Sequence, residues 1–226
     1  MSEIASSASD GTNPGSLTPP RGSPPHVPDH ELLRCIGSGS YGEVWLARNV
    51  MGTYRAVKVI YRQTFSDERP YEREFHGMQK FEPVSRSHDG LVDILQVGRN
   101  DAAGCFYYVM ELGDDAISGQ DLNPDHYEPR TLGKLLGERG KLPLSECLRV
   151  GLSLAAALQH LHKHGLIHRD IKPSNIIFVN GIPKIADIGL VAEVGAAKSL
   201  VGTEGFIPPE GPGTVQADIY SLGKVL

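Results

Sequence analysis

The stretch Ile167-His168-Arg169-Asp170-Ile171-Lys172-Pro173-Ser174-Asn175 concentrates the chemistry of this chain in one short run. A carboxylate, Asp170, stands just before a cation, Lys172, and an amide, Asn175, closes the run. Twelve residues past Asn175 comes a second carboxylate, in Asp187-Ile188-Gly189. Moving a phosphoryl group from ATP to a hydroxyl needs a carboxylate to orient the attacking oxygen and a cation on the transferring phosphate. It also needs oxygen ligands for Mg²⁺. Asp170, Lys172 and the pair Asn175 and Asp187 can supply these in that order.

Two segments nearer the N-terminus fit the same chemistry. Gly37-Ser38-Gly39-Ser40-Tyr41-Gly42 is a G-x-G-x-x-G run. A dinucleotide-binding turn would need a helix after it, and here a strand-like segment follows. The glycines let backbone amides approach phosphate oxygens without obstruction. In Ala56-Val57-Lys58, the lysine lies between apolar neighbours on a strand, so it needs a carboxylate partner. Glu74, 16 residues on and four before Met78 on one helix face, is the expected partner. Glu72 is its rival, with His76 as the neighbour one turn on.

Short strands are expected at Leu32–Ile36, Glu43–Arg48, Tyr54–Tyr61, Leu91–Val97 and Cys105–Met110. The third, YRAVKVIY, has the β-branched alternation of a half-buried strand. Between them a helix over Asp67 to Phe81 has Asp67 as cap and Pro70 in its first turn. After Met110 the character changes. Residues 111–129 hold six acidic side chains (Glu111, Asp114, Asp115, Asp121, Asp125, Glu128) and no Lys or Arg, which reads as a solvated, irregular segment. A helix follows from Leu144 to His164, with Leu148, Leu152, Ala155, Leu158 and Leu161 as its apolar stripe and Gly165 as its stop. Asn180-Gly181 between Ile176–Val179 and Pro183–Asp187 predicts a hairpin. The last residues, Asp218 to Leu226, begin another helical pattern.

Residues 1–27 contain 6 Ser, 5 Pro and 3 Gly, too little apolar surface to offset ordering, so a flexible tail is expected there. The composition of the 226-residue chain as a whole is that of a globular protein, with 40% hydrophobic and 22% charged residues. A net charge of −5 argues against a nucleic-acid partner. No run is long enough for a membrane helix, and no secretory signal is visible. The three cysteines are odd in number and far apart, which excludes a disulfide framework and fits a reducing, cytoplasmic compartment.

Taken in order, these motifs from Asp29 to Leu226 resemble the eukaryotic-like serine/threonine protein kinase family, in a form similar to its bacterial members. The resemblance implies an α+β, two-lobed fold. The N-lobe (about 29–110) would be a small antiparallel five-stranded sheet with one helix, and the C-lobe (about 111–226) mostly helical. It implies ATP as substrate with Mg²⁺ or Mn²⁺, and a protein acceptor, the chain itself included. Asp170, Lys172, Lys58 and Glu74 would be catalytic, and Asn175 and Asp187 would hold the metal. Gly37, Ser38, Gly39, Ser40, Gly42, Val44, Ala56, Lys58, Glu111, Gly113 and Ile177 would hold the nucleotide. Met110 looks like the gatekeeper before the hinge, and Met78, Ile94, His168 and Ile188 like the apolar column joining the lobes. Asp218 looks like the anchor of the catalytic loop, Arg169 like the receiver of a phosphate on Ser199, and Thr203 like a threonine that bonds Asp170 and Lys172. Lys172 favours serine and threonine over tyrosine as acceptors.

Departures accompany the likeness. Ile188 replaces the family's phenylalanine, and Pro208-Pro209-Glu210 replaces Ala-Pro-Glu. The helices that complete the large lobe are missing, so the chain looks like a truncated catalytic domain. Ile219, Tyr220, Leu222, Val225 and Leu226 are then expected to be left partly uncovered. The alternative reading is a pseudokinase or nucleotide-binding interaction module without turnover, or an inactive fragment. His160, His162 and His164 alternate along one helix, so all three cannot converge on an ion. Cys35 is read as a small buried residue.

Overall fold

The computed structural model describes residues 24–39, 42–187, 192–193 and 202–226. Five strands form an antiparallel sheet in the order β1-β2-β3-β5-β4. They are β1 His30–Gly39, β2 Gly42–Asn49, β3 Tyr54–Tyr61, β4 Ile94–Asn100 and β5 Cys105–Met110. Alternation sends β5 side chains to two cores. Phe106 and Tyr108 join the cluster under helix α1 (Glu68–Ser85), and Cys105, Tyr107 and Val109 join Val57 and Val59 on the outer face. Val27, at the end of the stretch expected to be tail, is 1% exposed and closes that outer cluster. The Asp67 side chain caps α1 by accepting from the Arg69 amide.

The second part holds α2 (Leu132–Arg139), α3 (Leu144–Lys163), short strands β6 (Leu166–Ile167), β7 (Ile176–Val179), β8 (Ile182–Ile185) and β9 (Ala192–Glu193), and α4 (Val215–Val225). β7 and β8 form the hairpin expected from Asn180-Gly181, with φ of 51° and 72° as a type I′ turn requires. Gly165, φ 73°, ends α3. The main core runs without a break from Met78, Ile94 and Phe106 to Leu154, Leu158, Ile185 and Leu222, so one hydrophobic body spans both lobes.

Four expectations need correction. The buried face of α3 is Val150, Leu154, Ala157, Leu158 and Leu161, whereas Leu148, Leu152 and Ala155 are exposed. The stripe chosen from the sequence is rotated because Leu144, Leu148 and Leu152 make a second apolar row of equal period. β4 begins at Ile94 rather than Leu91, since the backbone of Leu91 pairs in parallel with Ile185 instead. In α4 only Leu222 of the five is buried; Val225 packs on the core yet stays partly uncovered, and Ile219, Tyr220 and Leu226 are exposed as expected. The reason is that α4 lies against α3, close enough that a Cβ on Gly151 would meet Leu226 at 2.9 Å. The acidic stretch is not solvated throughout, because Asp114 and Asp115 are buried.

Candidate active site

The loop between β6 and β7 is shaped by an aspartate beneath it. Asp218, 1% exposed at the start of α4, accepts from the His168 and Arg169 amides at 2.9 and 2.8 Å and pairs with His162 at 2.8 Å. These bonds hold Arg169 at φ 70°, a left-handed conformation unfavourable for a residue with a Cβ. His168 is fully buried, and burial lowers its pKa. Its Nδ1 accepts from the Asp170 amide at 3.3 Å, so Nε2 carries the proton donated to the Ala186 carbonyl at 3.1 Å. One neutral imidazole thus ties the loop to the segment carrying Asp187.

Asp170 emerges from this frame with both oxygens engaged. Oδ1 accepts from Thr203 at 2.6 Å, and Oδ2 accepts from Asn175 Nδ2 and Lys172 Nζ, each at 2.9 Å. Lys172 also donates to the Thr203 hydroxyl at 2.7 Å. Asn175 spends its amide nitrogen on the carboxylate and on the Asp170 carbonyl, also at 2.9 Å, which turns its amide oxygen toward other donors or a cation. A carboxylate aligned by a lysine, a threonine and an amide can accept a proton from a hydroxyl placed against it.

Lys58 departs from expectation. Its ammonium pairs with Asp187, not with Glu74, and one Glu74 carboxylate oxygen is buried with no hydrogen-bond partner. Burial pushes Glu74 up to about 7, against the pull of Lys58, so it is a weaker acceptor than an ionised carboxylate near neutral pH. Burial would raise Asp187 as well, but Lys58 outweighs it and holds Asp187 below its ordinary value. Burial would lower Lys58; the Tyr108 oxygen and the Asp187 and Glu74 carboxylates reverse that, keeping the ammonium charged. Asp187 sits at φ 56° with its side chain 46% exposed. With the Asn175 oxygen it offers hard oxygen donors of the kind Mg²⁺ takes alongside water and phosphate. Among the described residues, no group of three or more His, Cys, Asp or Glu could hold a metal.

Of the other expected residues, Gly37, Ser38 and Gly39 end β1 and Gly42 opens β2; Ser40, Ile188 and Ser199 lie outside the described residues. At Gly42 the need for glycine comes from the sheet, since a Cβ would lie 2.0 Å from the Val59 carbonyl. Val44 pairs with Gly37 and with Lys58, and Ala56 with Met110. Gly113 adjoins Ile177 across the link between the lobes. The Glu111 side chain accepts from Lys184 at 2.5 Å and the Asp93 amide at 2.9 Å, and its own amide donates to the Asp93 carbonyl at 3.1 Å. Cys35 is half-buried, and its thiol donates to the Gly37 carbonyl at 3.2 Å. His162 pairs with Asp218, away from His160 and His164, as alternation requires; the latter two rings meet in a tilted contact at 4.6 Å and His88 meets His160 at 5.1 Å.

The sequence reading missed the strap between Gly113 and α2. Residues 114–131 hold no helix and no strand of the sheets, yet they are bonded throughout. Asp114 accepts from the Asn180 and Gly181 amides, both at 2.8 Å, fixing the β7–β8 turn. Asp115 accepts from the amides of Ile117, Ser118 and Glu128 at 2.8–2.9 Å. Burial works against these bonds, but they lower its pKa to about 2 from 3.8. The stabilisation they give is therefore complete above pH 3.8 and is lost as pH falls toward 2. Tyr127, 1% exposed, donates to the Gly113 carbonyl at 3.1 Å. Across the cleft, Arg34 of β1 donates to the Tyr127 and Pro124 carbonyls at 2.5 and 3.4 Å. The missed signal is the length of this connection, since compact domains rarely keep so long a loop without a use for it. Arg34→Ala should cost about 1–3 kcal/mol. Thermal melting measures that loss, and faster amide exchange over residues 121–128 would locate it in the strap.

The family model described as protein kinase domain matches residues 30–226. A probable serine/threonine-protein kinase of Clostridium perfringens, CPE1738, is 31% identical over 208 residues, covering 87% of this chain and 28% of that protein. Serine/threonine-protein kinase PrkC of Bacillus subtilis is 28% identical over 207 residues, 87% of this chain and 29% of that protein. Serine/threonine-protein kinase PknA of Mycobacterium tuberculosis is 31% identical over 210 residues, 87% of this chain and 45% of that protein. The chain thus spans less than half the length of each of these relatives. No helix among the described residues is long and apolar enough to cross a membrane.

Proposed function

The chain belongs to the protein kinase domain family, and from that premise we propose that it moves the γ-phosphate of ATP to serine and threonine hydroxyls of proteins, its own included. The observation that carries this reading is the network in which Lys172, Thr203 and Asn175 all bond to Asp170. In the proposed reaction the acceptor oxygen forms a bond to the γ-phosphorus and its proton passes to Asp170. The bond from that phosphorus to the bridging oxygen breaks, and ADP leaves. Lys172 offsets charge on the transferring group. Lys58 turns from Asp187 to the remaining phosphates, and the backbone of Gly37, Ser38, Gly39 and Gly42 covers them. Val44, Ala56 and Ile177 contact the adenine faces, and the backbone of Glu111 and Gly113 its edge. Asn175 and Asp187 would hold Mg²⁺ or Mn²⁺, which when bound neutralises phosphate charge. Cys35, Cys105 and Cys147 are unpaired, in keeping with work in the cytoplasm or in the cytoplasmic part of a longer protein.

The test uses the full chain, ATP labelled at its γ-phosphate, Mg²⁺ and a generic basic protein. Label on the chain and on the acceptor, recovered as phosphoserine and phosphothreonine after hydrolysis, is the expected result. Bound nucleotide with no label transferred would favour an interaction module without turnover, and label recovered only as phosphotyrosine would overturn the acceptor class.

A further inference from the structure

Lys58 has a third neighbour that the roles above leave unused. Tyr108 stands directly opposite Lys58 in the β3–β5 pair, on the sheet face covered by α1. A pair so placed holds its Cβ atoms about 4.5–5.5 Å apart. The ring is 0% exposed, and its buried hydroxyl completes no hydrogen bond of ordinary geometry, although the Lys58 ammonium lies within its reach. A phenylalanine would fill the same space and leave no orphaned polar atom, so packing alone gives no reason for the oxygen. Beside the same ammonium lies a second orphan, one oxygen of Glu74. A phenol can donate, a carboxylate can accept, and an ammonium has three protons of which Asp187 takes one. The two unsatisfied atoms are therefore complementary to each other and to the remaining protons of Lys58.

We propose that Tyr108 is a positioning residue for phosphoryl transfer. Its hydroxyl donates to Glu74 and accepts from Lys58, so that α1, β5 and β3 jointly fix the ammonium when α1 settles on the sheet. The role rests on the kinase reading given above. Tyr108 touches no substrate; it acts through Lys58, which would still contact nucleotide without it. Loss of the hydroxyl should therefore spoil the alignment needed in the transition state more than ground-state binding.

The experiment compares the full chain with Tyr108→Phe and Tyr108→Leu, recording kcat, KM for ATP, thermal melting and affinity for a fluorescent ATP analogue without Mg²⁺. For Tyr108→Phe, kcat should fall about 10- to 100-fold, the loss of one hydrogen bond to a charged group. KM and analogue affinity should stay within about twofold, and Tm should hold or rise, because the ring still packs. If Phe matches the parent in kcat and only Leu loses activity and stability, Tyr108 is a packing residue and the proposal is overturned. A parallel loss of Tm and kcat in Phe overturns it too. If the parent chain transfers no phosphate, the kinase reading itself falls and takes this role with it.

Discussion

Asp170→Asn is expected to lower kcat by about 10²- to 10⁴-fold, the usual contribution of a positioned proton acceptor. The substitution keeps the shape of the side chain and removes its charge and its basicity. It also forces a local conflict. Both carboxylate oxygens accept from neighbours, Oδ1 from Thr203 and Oδ2 from Lys172 and Asn175. An amide nitrogen in either place meets a donor, so the network must open on one side. The fold is anchored elsewhere, through Asp218 and His168, and melting should shift by only a few degrees. Kinetics with labelled ATP set beside calorimetry separate the two effects. Activity retained to within tenfold would show that the proton from the acceptor hydroxyl goes somewhere other than Asp170.

The largest stability effect is expected at Asp218. Removing its carboxylate in Asp218→Ala strands the amides of His168 and Arg169, takes the partner from His162, and removes two bonds that brace the loop where Arg169 sits at φ 70°. Orphaned buried donors cost about 1–3 kcal/mol each, and these costs overlap with the roughly 3–5 kcal/mol for breaking a buried charged contact rather than adding to it. A total of about 3–5 kcal/mol is a large share of the 5–15 kcal/mol that hold an average domain together. At roughly 2–4 °C per kcal/mol, Tm should drop by on the order of 10 °C. Asp218→Asn keeps an acceptor and should lose less than half as much. Equal losses in the two variants would mean that charge, rather than hydrogen-bond acceptance, is what Asp218 contributes.

What could be read from the sequence was whatever sits in a contiguous run. The nine positions from Ile167 to Asn175 are legible because one loop must bring a base, a cation and an amide to the same point, and a tight loop can do that only with residues near in sequence. β3 was placed to the residue by its alternation, and the Asp67 cap and the Asn180-Gly181 turn by local backbone requirements. Contacts over long separations were not legible. Whether Lys58 bonds Glu74 or Asp187 depends on how α1 seats on the sheet, and both carboxylates are plausible by type alone. Asp114 and Asp115 look like solvated acids until the amides that surround them are known, two of which come from a turn more than sixty residues away. In α3 two leucine rows share one period, and only the position of the neighbouring elements decides which row is buried.

The strap has a mechanical consequence. Two bodies joined by a single chain crossing can tilt against each other in any direction. Here the sheet joins the helical lobe at a second place, where Arg34 grips the carbonyls of Pro124 and Tyr127. The strap is in turn fastened to the helical lobe by Asp114 on the β7–β8 turn. Any opening of the cleft on that side must therefore either carry the strap along with the sheet or break the Arg34 bonds.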